Sequence, residues 1–179
     1  MHFSTVIDFW FKELTPKQWW AKDEAFDKMI EERFSKTLDA VIAGETYGWR
    51  EQPKGWLAEI LVLDQFSRNI YRDTPRAFAQ DPQALSLAQE AISSGATEVL
   101  SAQEKVFVYM PFMHSESALM HEIAVGLFTD VGIESNIDYE HKHKAIIDRF
   151  GRYPHRNAIL GRESTPEEDE FLQLPGSGF

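Results

Sequence analysis

Cysteine is absent from the 179-residue sequence. That excludes disulfides, thiolate catalysis and cysteine-based zinc or iron–sulfur centres, and it suits a cytoplasmic protein. No apolar run approaches the roughly 20 residues needed to span a bilayer, so no membrane association is expected. The opening MHFSTVIDFWFKELTPK lacks the basic start and small-residue cleavage site of a signal peptide. Positive charge is scarce: 18 Lys and Arg against 29 Asp and Glu leave a net charge of -11. Such a balance argues against a nucleic-acid partner, whose binding rests on neutralised phosphates. Nucleophile elbow, P-loop, zinc-protease helix and dinucleotide glycine fingerprint are all missing. No motif calls for a cofactor or a metal.

What the chain does have is 13 Phe and 5 Trp, ample material for a core. Its length fits one domain, residues 1–179, with a loop tail over about 174–179. Helix start signals recur. Thr15-Pro16-Lys17-Gln18, Ser101-Ala102-Gln103-Glu104 and Thr165-Pro166-Glu167-Glu168 each offer a capping hydroxyl with Gln or Glu three residues on. Asp81-Pro82 supplies a cap and a first-turn proline. Gly44, Gly95, Gly132 and Gly151 each follow an apolar helical pattern and act as stops.

The spacing predicts helices over residues 3–13, 23–43, 54–72, 82–94, 102–110, 115–131, 135–150 and 166–172. Phe26, Ile30, Phe34, Leu38 and Val41 make one apolar face. Ile60 to Leu63 are consecutive and apolar, which marks that helix as central. Pro111 is expected to end or kink its helix. Helices joined by short turns predict an all-α domain of stacked antiparallel pairs, although no clear repeat period is present.

Polar groups gather in three places. The central helix ends in Asp64, Gln65, Arg68 and Asn69, with Asp64 and Arg68 four apart on one face. In PFMHSE, Ser115 is expected to cap the next helix and Glu116 to start a stripe with Met120, Ile123 and Leu127. His114 precedes it. His143 is expected inward with Tyr139, Ile146, Ile147 and Phe150, and His141 outward. Residues two apart cannot share a metal, so His141 and His143 are not a chelating pair. Finally, RFGRYPHRNAILGR carries Arg149, Arg152, His155, Arg156, Asn157 and Arg162. Arginine forks match carboxylates and phosphates. The arginines can equally pair with Asp64, Glu116 and the acidic segment Glu167–Glu170 in a structural network.

LDQFSRNIYR, YMPFMHSE and HKAIIDRFGRYPHRNAILGRESTPEEDEFL resemble the signature blocks of the bacterial domain-of-unknown-function family 924. The resemblance runs in order over nearly the whole chain. It implies a tetratricopeptide-like, superhelical all-helical fold and no particular reaction. The family's recurring polar positions fall on Asp64, Gln65, Arg68, Asn69, His114, Glu116, His143, Arg149, Arg152, His155, Arg156, Asn157 and Arg162. Tyr153 stands where the family more often has Phe, and His121 where Gln is common.

The three blocks are expected to meet at one site, with Asp64, Arg68, Glu116, His143 and Arg156 around one cavity. Three functions follow. The first is a binding protein whose arginines and histidines hold an anionic small molecule or an acidic peptide end. The second is a hydrolase or transferase for a phosphate or acyl substrate, with Glu116, His143 and His155 as candidate acid–base residues. The third is a structural protein in which the same residues form a buried polar network.

Overall fold

The computed structural model describes residues 1–178, and they are all-helical, with no strand among them. Every helix expected from the sequence is present. Helix α1 covers Phe3–Asp8 and runs on as a π-helical turn, Phe9–Glu13. Helix α2 is Glu24–Ile42, capped by the Asp23 carboxylate, which accepts from Phe26 N at 2.8 Å. Helix α3, Pro53–Leu61, passes through a second π turn at Val62–Phe66 into α4, Ser67–Ile70. Then come α5 (Asp81–Ser93), α6 (Ala102–Met113), α7 (Ala118–Val131), α8 (Glu134–Phe150), α9 (Asn157–Leu160) and α10 (Pro166–Leu172). No helix among the described residues is long and apolar enough to cross a membrane.

The capping boxes at Ser101/Glu104 and Thr165/Glu168 form in both directions. Gly132 ends α7 with φ 76°, and α8 starts two residues later, so the chain must double back there. Gly151 ends α8 in the same left-handed conformation. Helix α7 packs on both α6 and α8, and α3 lies between α1, α5 and α6.

The run from Leu57 to Phe66 is buried throughout, the apolar Ile60–Leu63 together with the polar Glu59, Asp64 and Gln65. Around it lie Trp10, Phe9, Phe34, Phe107 and Phe128, all essentially inaccessible. A smaller cluster of Ile146, Ile147 and Tyr153 forms where α8 meets the following loop.

Two expectations need correcting. Helix α6 does not stop before Pro111 but continues to Met113. Proline there removes one i→i−4 N–H bond, a loss that the helix absorbs without ending. Helix α7 is preceded by Ser117 rather than Ser115 and begins at Ala118, so Glu116 lies outside it. The stripe expected from Glu116 through Ile123 therefore does not exist, and Ile123 is exposed.

Candidate functional site

The second π turn places the first acid. A π turn widens the helix by one residue per turn and is favoured where a side chain must be re-aimed. Here it carries Asp64 and Gln65 inward with Val62, Leu63 and Phe66. Arg68 follows one helical turn later. Its Nη1 lies 3.1 Å from Asp64 Oδ1 and donates to the Asp64 carbonyl at 2.7 Å. His114, at the end of α6, meets the same carboxylate, with Nδ1 2.7 Å from Asp64 Oδ1.

Asp81 completes the group. The sequence marks it as a helix cap, yet no side-chain cap forms at the start of α5. Its carboxylate instead receives both guanidinium nitrogens of Arg68, at 2.9 and 3.0 Å. Arg156 Nη1 reaches Asp81 Oδ2 at 3.3 Å, and its Nη2 donates to the His114 carbonyl at 3.0 Å. The Arg156 guanidinium lies between the faces of Phe78 and Tyr153, 4.6 Å from each ring centre. Only 6% of this arginine is exposed, and its buried Nε has no hydrogen-bond partner.

Charge and burial set the protonation states. Burial works against ionised Asp64, but Arg68 and His114 outweigh it and hold its carboxyl below the usual range. Burial, then Arg68, lowers His114, so the imidazole is neutral. The Asp64 carboxylate can only accept, so Nδ1 carries the hydrogen. Nε2 is left as an acceptor with no protein partner, open to solvent. Burial and Arg68 also lower Arg156.

A second network adjoins the first through Tyr153. Glu116 accepts from Tyr153 N at 2.8 Å and takes both Arg162 Nη groups at 2.7 and 2.9 Å. Arg162 Nε donates to Asn157 Oδ1 at 2.9 Å. Arg152 grips Glu168 at 2.6 and 2.7 Å, and Asn157 Nδ2 donates to Glu168 at 3.3 Å. These pairs tie the α6–α7 connection, the loop after α8, α9 and α10 together.

The geometry unites Asp64, Arg68, His114 and Arg156, with Glu116, Asn157 and Arg162 behind Tyr153. It separates two residues from them. Asn69 turns to α2, donating to Asp27 at 2.8 Å beside Arg72. Arg149 forms a surface pair with Glu167. His143 is inward as expected, although Tyr139 is exposed. Its Nδ1 lies 2.7 Å from the Tyr139 carbonyl, its ring stands edge-on to Tyr153, and burial pushes it down to about 3. His155 is half-buried 5.5 Å from the Tyr153 ring, pushed down to about 4 by burial and Arg156.

The groups expected around one cavity form a bonded network. The two described clefts lie elsewhere. One of about 310 Å3 is bordered by Phe3, Pro53 and Leu100, and one of about 670 Å3 by Arg33, Thr46 and Trp49. No group of acids and histidines able to hold a metal occurs among the described residues.

Sequence reasoning missed Asp81, whose Asp-Pro context reads fully as a helix start. It also set His121 aside. That ring is wholly buried, with Nδ1 2.7 Å from Glu140 Oε1 and Nε2 2.9 Å from the Ser115 carbonyl. A carbonyl only accepts, so Nε2 carries a hydrogen, and one further proton lies between Nδ1 and Glu140. The pair is thus neutral overall and clamps α7 to α8. Burial raises Glu140.

A family model described as a bacterial protein of unknown function, DUF924, matches residues 6–176. A solved structure of a protein of unknown function, ATU0120 from Agrobacterium tumefaciens, shares 40% identity, covers 96% of each chain and superposes with a TM-score of 0.91. No curated protein matches. The chain belongs to the DUF924 family.

Proposed function

We propose that this member of the family is a binding protein for a small anion, or the acidic end of a peptide, held at the Arg68–Arg156 cluster. One observation carries the reading. Arg156 is almost fully buried, yet its one carboxylate contact is a 3.3 Å edge interaction with Asp81, which Arg68 already occupies. Arg149, Arg152 and Arg162 each have an acid of their own. Arg156 does not, and a buried guanidinium without a full partner is costly unless something else supplies the charge.

Arg68 and His114, both partly exposed beside it, give an approach from solvent. The arginine fork then supplies orientation. A tetratricopeptide-like stacking of helix pairs and a cytoplasmic setting both suit such a role. The test is a thermal-shift screen of phosphate, sulfate, small carboxylates and acidic peptides against wild type and Arg156→Met. The reading expects at least one anion to raise the melting temperature of the wild type and not of the variant. An unresponsive wild type across the whole set contradicts it.

A further inference from the structure

The chemistry lining the Arg68–Arg156 cluster is not all of one kind. Arg68 and Arg156 are donors. His114 is the opposite: with Nδ1–H committed to Asp64, its Nε2 presents a lone pair to solvent and takes no hydrogen bond from the protein. Its ring is 15% exposed. The two carboxylates beside it, Asp64 and Asp81, are also acceptors and bring negative charge.

An anion that only accepts hydrogen bonds would set a lone pair against His114 Nε2. It would also lie near both carboxylates with nothing to offer them. An anion with one proton of its own satisfies both kinds of group, because its charged oxygens take the guanidinium hydrogens and its O–H donates to Nε2.

We propose that the cluster selects an oxyanion that carries its own proton, hydrogen phosphate or a phosphomonoester monoanion, with His114 as the specificity-determining residue. The inference rests on the anion-binding reading above and adds the ligand class to it. The low basicity of the buried His114 supports it, since a neutral ring keeps Nε2 an acceptor. Asp64 acts through His114, as it fixes which nitrogen bears the hydrogen.

Phosphate and sulfate make the test, being tetrahedral and close in size. Near neutral pH both carry about two negative charges, but only phosphate retains a proton. Isothermal titration of the full chain should give an affinity for phosphate about tenfold or more above that for sulfate, the effect of one unmatched charged hydrogen bond. In His114→Ala the phosphate affinity should fall to the sulfate level. His114→Gln, whose amide offers donor and acceptor, should bring the ratio close to one and keeps the test alive if the alanine variant does not fold.

Phenyl phosphate, titrated at pH about 5.5 where the ester still holds a proton, separates the two sources. Tighter binding than phosphate supports the proposal and assigns the site to phosphomonoesters. Weaker binding supports it and assigns the site to free phosphate. Equal affinity for phosphate and sulfate in the wild type, or a preference that survives both substitutions, overturns the selection and leaves the anion-binding reading standing. No binding of phosphate, sulfate or any carboxylate overturns both.

Discussion

Arg68 and Arg156 share Asp81, but their removal should differ in effect. Arg68 is the main counter-charge for both Asp64 and Asp81. Arg68→Ala leaves the buried Asp64 and the partly buried Asp81 without their main cation and should cost ~3–5 kcal/mol in urea unfolding. Arg156→Met keeps the volume between Phe78 and Tyr153 and leaves Asp81 with its Arg68 fork, so it should stay within about 1 kcal/mol of wild type. A cheap loss from the interior would fit the binding role proposed for Arg156. His143 gives a pH prediction. Its folded value of about 3 lies below the ordinary 6.5. Between these values the unfolded chain binds the extra proton, so stability is intact above pH 6.5 and falls as pH drops toward 3. Replacing His143 by Leu should flatten that fall by up to about 1.4 kcal/mol per pH unit, measured as the slope of unfolding free energy against pH.

Helices with local signals were legible in the sequence. Ser101 and Thr165 announce α6 and α10 because a capping box is a four-residue interaction. Ser101→Ala should therefore cost ~1 kcal/mol by thermal or urea unfolding, and a loss below a few tenths would mean that the cap is idle. The π turn at Val62–Phe66 was not legible. It is a backbone choice imposed by packing on both sides of the central helix, with no composition of its own. The start of α7 was missed for a related reason. Ser115 and Ser117 read alike in sequence, and α7 begins after Ser117, whose side chain makes no cap bond, while Arg162 and Tyr153 N hold Glu116 outside the helix. Asp81 is the same conflict in reverse, a correct local cap signal overridden by two distant arginines.

Across the whole molecule, the all-helical class followed from periodicity and stop glycines, which act locally. The candidate site did not follow in detail, because a hydrogen bond over 42 positions and an ion pair over 75 leave no spacing to read. Arginine density pointed to the right loop, yet Arg149 and Arg152 turned out to pair with the acids of and around α10, and only Arg156 reaches the central cluster. The net charge of -11 makes that exception a local one, a buried cation with a divided counter-charge in an acidic chain. The most direct measurement is the melting temperature of wild type and Arg156→Met with and without phosphate at about a hundredfold its dissociation constant. The account predicts a rise of about 5–10 °C in the wild type and none in the variant. A wild type that ignores phosphate and every other anion, or a variant that responds equally, would contradict it.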